Sequence, residues 1–241
     1  MFERAHHRRI AWMLEHLDAE LLRTLHCWFG GGTAIALRRG EYRESLDIDF
    51  LVSELTGYRE LRQRMRGARN LLPLAKPGAP SIALENEARV DQYGIRAFAL
   101  VDGVPIKFEI ISEGRISFDM PAAADMVCGV ATLSLVDLAA SKLLANSDRW
   151  ADDSVLARDA IDLAMLDLPP RELVPALDKA MSAYGPIVID DMQAALRRLR
   201  EQPGWLRRCL EALSIHMPPA LVQQKLRLLT RRLATAAGRL E

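Results

Sequence analysis

Residues 29–51, FGGGTAIALRRGEYRESLDIDFL, carry the side chains whose types and spacing could do chemistry. Asp47 and Asp49 are one residue apart in a stretch, 47–52, that reads as a strand. Alternate strand residues share a face, so the two carboxylates project side by side. Like charges that close repel unless a cation lies between them. Hard, oxygen-seeking Mg²⁺ is the natural occupant and normally comes with a phosphate. Gly30, Gly31 and Gly32 precede a short helix expected over 33–39. A glycine turn that opens a helix offers free backbone N–H groups to such a phosphate. Thr33 fits here as a helix cap or as a hydroxyl on phosphate. A phosphate cradle beside a metal-binding acid pair points to transfer of a nucleotidyl group.

Two divalent ions need more than one pair of carboxylates, so a third acid is expected from a neighbouring strand. In the segment VPIKFEII, residues 104–111, Val104, Ile106, Phe108 and Ile110 alternate as a core face. Lys107 and Glu109 then share the other face, and Glu109 becomes the candidate third ligand or general base. The expected metal set is Asp47, Asp49 and Glu109. In a two-metal site the ions would hold attacking and leaving oxygens in line.

The elements that must position these groups follow from periodicity and punctuation. Apolar residues at three- and four-residue steps predict an amphipathic helix over 2–26, and 55–68 reads as a second. Prolines and a glycine mark 70–81 as a loop. Strands over 95–101 and 104–111 flank Asp102-Gly103, a two-residue hairpin turn. Beyond Phe118 every expected element is helical: 132–147, 154–166, 171–183, 187–200, 204–214 and 218–237, with prolines as starts and stops. The fold class is therefore α+β, a small mixed sheet flanked by helices and followed by an all-α bundle. The division is expected near residue 120, giving domains 1–120 and 121–241.

Bulk properties exclude little but agree. The 241 residues are half hydrophobic, and 32 basic side chains balance 32 acidic ones. Zero net charge gives no global attraction to nucleic acid or anionic membrane. Cys27, Cys128 and Cys209 are too few and too scattered for a disulfide framework, which fits a reducing cytoplasm. The N-terminus lacks the apolar segment of a signal peptide. No run approaches the ~20 apolar residues of a membrane span. Cytoplasmic location without membrane partners is the expectation. Cys27 beside Trp28 reads as core.

The segment GGGTAIALRRGEYRESLDIDF resembles the signature of the nucleotidyltransferase superfamily, specifically its AbiEii/AbiGii-type toxin family. There a GGTAL-like turn precedes an R-x-S-x-D-I-D strand, matched here by Arg43, Ser45, Asp47 and Asp49. The stretch around Lys142 is similar to the family's helix bearing an essential lysine. Arg158-Asp159-Ala-Ile-Asp162-Leu resembles its following R-D-x-x-D-L segment. The resemblance covers residues 28–166. It implies a nucleotidyltransferase-type core followed by a helical bundle that contributes Lys142 and Asp159 to the active-site cleft. It also implies NMP transfer from an NTP with Mg²⁺, a tRNA or other RNA acceptor, and a cognate antitoxin protein. By this account Gly31, Gly32, Thr33, Arg39, Ser45 and Lys142 bind the nucleotide. Asp47, Asp49, Glu109, Lys142 and Asp159 are catalytic. Thr33 stands where broader nucleotidyltransferases carry serine, and a hydroxyl is retained.

Other readings stay open on the residues alone. Lys142 could be a surface lysine lying along an apolar helix face. Asp159 and Asp162 could form an intrahelical network around Arg158. His6-His7-Arg8-Arg9 reads as a charged helix face, and Arg38, Arg39 and Arg43 as triphosphate contacts or solvated side chains. The arginines of 197–208 and 227–239 form either a basic RNA-facing patch or ordinary amphipathic helices. The acceptor could be a small hydroxylated molecule, or the fold a binding module without chemistry.

Overall fold

The first expected helix is two helices in the computed structural model, which describes residues 2–240. Helix α1 (Ala5–His16) ends where Leu17 turns extended, and α2 (Ala19–Thr24) restarts after it. Asp18 caps the restart, its carboxylate accepting from the Leu21 N–H at 2.9 Å. The apolar spacing runs through the break because Leu17 is itself buried.

By its internal contacts the chain forms two compact units. The first comprises residues up to Arg38 together with Ser45–Ser134; the second, Arg39–Glu44 together with the chain from Leu135. Sequence punctuation placed the division near residue 120. The contacts move it past Ser134 because the Leu133 N–H donates to Phe29 O at 2.9 Å, tying this stretch to the first unit.

The first unit is built on a five-stranded mixed sheet in the order β1 (Trp28–Gly30), β2 (Ile48–Val52), β5 (Val104–Ser112), β4 (Gly94–Val101), β3 (Arg89–Val90). Only the β2–β5 pair is parallel. Helices α3 (Gly31–Arg38) and α4 (Leu55–Met65) accompany it. One sheet face is the core: Ile48, Phe50, Ile95, Ala97, Ala99, Ile106, Phe108 and Ile110 are all buried. Phe29, Phe50 and Phe108 pack in sequence as tilted rings with centroids 5.6 and 5.8 Å apart. The expected hairpin is present, with both turn residues, Asp102 and Gly103, at positive φ. A second hairpin was not expected: β6 (Met126–Val127) and β7 (Val130–Ala131) turn at Cys128-Gly129. Two-residue strands are too short to show periodicity.

The second unit holds α5 (Leu135–Arg149), α6 (Arg158–Leu166), α7 (Pro170–Tyr184), α8 (Ile187–Glu201), α9 (Trp205–Ala212) and α10 (Pro219–Ala237). Apolar stripes on α5, α7, α8 and α10 form its core. Pro170 and Pro219 begin helices as expected, whereas Pro175 lies inside α7 and costs one backbone hydrogen bond. Among the described residues no helix is long and apolar enough to cross a membrane.

Candidate active site

The glycine turn is a strand–helix junction: β1 ends at Gly30 and α3 begins at Gly31. Gly31 has φ +66°, a conformation that favours glycine. A Cβ at this position would collide with the Asp49 carboxylate, its Cβ 2.9 Å away. Missing bulk at Gly31 therefore lets Asp49 lie against the start of α3. The first backbone N–H groups of a helix lack intrahelical partners, so the positive end of α3 opens beside this carboxylate. Thr33 is inside the helix rather than its cap.

Strand register aligns the charged residues across the sheet. Gly30 pairs with Asp49, Asp49 with Glu109, Glu109 with Arg96 and Arg96 with Arg89. This row lies on the face opposite the three phenylalanine rings, so Asp49 and Glu109 are immediate neighbours there. Lys107, two residues from Glu109, shares the face as expected. Its ammonium lies 2.5 Å from Glu109 Oε2, and Arg96 Nε lies 3.2 Å from Oε1. Each oxygen of Glu109 thus already has a cation. Among the described residues no group of three or more His, Cys, Asp or Glu side chains could hold a metal ion. The expected three-acid ligand set is not assembled, because Glu109 is committed to Arg96 and Lys107. Asp47 and Asp49 remain as hard oxygen donors. A divalent ion that keeps water and takes substrate phosphates needs no more than one or two carboxylates from the protein, and this pair fits it.

Asp47 stands just before β2, positioned by buried hydroxyls. Thr33 Oγ1 lies 2.5 Å from the Asp47 carbonyl and 2.7 Å from Ser45 Oγ. The carbonyl can only accept, so the Thr33 proton goes there and the Ser45 hydroxyl donates to Thr33. The Ser45 N–H in turn donates to His7 Nε2 at 3.0 Å. That bond requires an unprotonated Nε2 and takes His7 out of the charged helix face: its exposure is 0%. Thr33 and Ser45 were expected on phosphate. At 1% and 7% exposure their hydroxyls instead hold the start of the acidic strand.

The helical unit contains its own charged cluster, in which Lys142 and Asp159 meet. Lys142 is buried on α5, with Nζ 2.8 Å from Asp159 Oδ1 and 2.7 Å from Asp162 Oδ2. Arg149 Nε lies 2.7 Å from Asp159 Oδ2. Arg43 clasps Asp162 by two bonds, Nε–Oδ1 at 2.7 Å and Nη2–Oδ2 at 3.0 Å, and the Tyr42 hydroxyl donates to Oδ1 at 2.6 Å. Burial alone would raise the pKa of both aspartates. Lys142 and Arg149 at Asp159, and Arg43 and Lys142 at Asp162, override burial and hold both below the usual carboxylate range. Burial and the Asp162 charge push the Tyr42 hydroxyl well up. Arg158, the expected centre of an intrahelical network, is not a member; the partners come from α5 and the 39–44 segment. Sequence reasoning gave Asp162 and Arg43 no fixed role and missed Tyr42, because Arg43 and Tyr42 stand 119 and 120 residues from Asp162.

Arg38 and Arg39 are also committed. Arg39 donates to Leu166 O at 2.6 Å, satisfying a carbonyl at the C-terminal end of α6 rather than a phosphate. Arg38 binds Asp125 and Thr132, each at 2.8 Å. Cys27 is core, and burial raises its thiol pKa.

The profile of "Nucleotidyl transferase AbiEii toxin, Type IV TA system" matches residues 12–229. The chain belongs to the AbiEii family. It is accordingly a nucleotidyltransferase, and the match extends well past the stretch in which motifs were recognised. The AbiEii chain is also similar in fold to a crystal structure of a candidate nucleotidyltransferase from H. pylori, with TM-score 0.56, 16% identity and coverage of 100% of this chain and 99% of that one. JHP933 from Helicobacter pylori aligns over 100% and 98% of the two chains with TM-score 0.45 and 15% identity. No curated protein matches the AbiEii chain.

Proposed function

We propose that this nucleotidyltransferase moves an NMP group from an NTP to a hydroxyl at an RNA end, tRNA being the first candidate, with Mg²⁺ held by Asp47 and Asp49. The observation that carries the reading is the cross-strand row Gly30–Asp49–Glu109, with the start of α3 set against Asp49. Backbone N–H groups and a carboxylate lie together there, as a metal-bound triphosphate requires. The ion, when bound, would draw charge from the phosphoryl oxygens. Gly31 and Gly32 offer N–H groups to the phosphates. Thr33 and Ser45 orient Asp47, while Lys107 and Arg96 fix Glu109 beside Asp49. Family membership also implies a cognate antitoxin.

A transfer to a small hydroxylated molecule would use the same groups. A binding module without chemistry would have no use for two adjacent carboxylates. Incubating the protein with each labelled NTP, Mg²⁺ and total RNA separates these readings, with Asp49→Asn and EDTA as controls. The expected result is labelled RNA that disappears in both controls. Label on small molecules alone would replace the RNA acceptor, and NTP binding without transfer would leave only the module.

A further inference from the structure

Zero net charge hides a strong segregation within the helical unit. Residues 135–196 carry five basic side chains against eleven acidic ones; residues 197–241 carry ten against three. The structure sorts the basic ones by partner. Arg198 is held by Asp153, and Lys225 and Arg232 by Asp167. Arg197, Arg227 and Arg231 are exposed and form no ion pair among the described residues.

These three share one seam. Gln193, Arg197 and Arg200 follow each other at helical spacing along one edge of α8. Gln223, Arg227 and Arg231 do the same on α10. Arg200 Nη1 lies 3.4 Å from Thr230 Oγ1, which joins the two edges. Glu201 lies 3.3 Å from Arg200, and exposed Asp190 stands one turn before Gln193 at the start of the α8 edge, so four guanidinium groups face two acids along the strip. The strip has guanidinium forks and uncharged amides but no exposed large hydrophobic side chain; the exposed ones in this unit are Ile187 and Leu221. A protein partner would need an apolar centre. Guanidinium donors without one match a phosphate backbone.

We infer that the α8–α10 seam, through Arg197, Arg200, Arg227 and Arg231, docks the phosphate backbone of the RNA substrate. This rests on the proposed transfer to RNA. The seam would bind RNA without reading its sequence, and binding should weaken steeply with salt.

The test is fluorescence anisotropy with labelled bulk tRNA across a salt series. It compares wild type, the triple variant Arg197→Ala/Arg227→Ala/Arg231→Ala and the charge-matched control Arg62→Ala/Arg66→Ala/Arg171→Ala. The triple variant should bind tRNA at least about tenfold more weakly, with a salt slope lower by about two to three. Its circular dichroism and NTP binding should stay unchanged, and the control should behave as wild type. Equal loss in the two variants, or none in the triple, overturns the docking surface. Weaker binding of polyglutamate with tRNA binding intact overturns it in favour of an acidic protein. Label transfer is scored separately: tRNA held through the seam but never labelled sinks the acceptor reading and leaves the docking surface standing.

Discussion

Arg43 and Asp162 form a two-point ion pair, with side chains 5% and 0% exposed. They stand 119 residues apart in the chain. The pair belongs to the helical unit, although Arg43 precedes Asp47 by only four residues. A carboxylate with no solvent must have its charge matched locally, and a planar guanidinium does so with two parallel bonds. Arg43→Ala should destabilise the protein by about 3 kcal/mol, the lower end of the cost of breaking a buried pair, because Lys142 still faces Asp162 but no longer shares its charge with Arg43. Arg43→Met combined with Asp162→Leu should cost much less than the single change, because no charge is stranded. Urea denaturation of the set checks both expectations. Equal losses in the single and double variants would rule out charge stranding as the cause.

Acid should unfold the protein through the same cluster. Asp159 and Asp162 are held below the ordinary aspartate range when folded. A depressed folded-state pKa contributes stability that is fully present above the unfolded value of about 3.9. That stability is lost as pH falls below this value towards the folded one. Melting temperature should therefore stay flat from neutral pH to about 5 and drop below about 4. Lys142→Met removes a favourable charge from both aspartates and brings their folded-state pKa back towards the unfolded one, so less stability depends on pH and the drop below about 4 should be shallower than in wild type. Superimposable pH profiles would show that the ion pairs do not control acid stability.

Gly31 and Gly40 separate backbone strain from damage to the site. Both have positive φ, but an added Cβ meets Asp49 at Gly31 and nothing within 4 Å at Gly40. Alanine at either position should cost about 1–2 kcal/mol from the left-handed backbone. Only Gly31→Ala should also abolish nucleotidyl transfer, by displacing Asp49. Thermal melts paired with the transfer assay read the two effects, and an active Gly31→Ala enzyme would argue against placing Asp49 at the reacting centre.

Thr33→Val keeps the shape and removes the hydroxyl, leaving the Asp47 carbonyl without its donor. The expected cost is about 1–3 kcal/mol, with a fall in kcat and little change in the KM for NTP. A phosphate contact at Thr33 would instead raise KM. Steady-state kinetics at several NTP concentrations decides between them.

The legible parts of this protein were those set by local rules. Asp102-Gly103 marked its hairpin because both positions take positive φ, and alternation placed Lys107 and Glu109 on one face. Other features lay beyond such rules. The break at Leu17 kept the apolar spacing of a continuous helix. His7 sits in a basic run, and only packing against Ser45 takes it into the core. Arg39 and Arg43 look alike in sequence, yet one satisfies a helix-end carbonyl and the other neutralises Asp162.

The sequence by itself determined that a glycine turn precedes an acid pair, that a third acid faces the same way, and that the chain resembles the AbiEii family. Those are properties of neighbouring residues and of spacing, which backbone geometry translates directly. Only the tertiary structure decided which charge answers which. It spent Glu109 on Arg96 and Lys107, Thr33 and Ser45 on Asp47, and Lys142 on two aspartates. Ion pairing and desolvation depend on distance in space, and no periodicity along the chain records it.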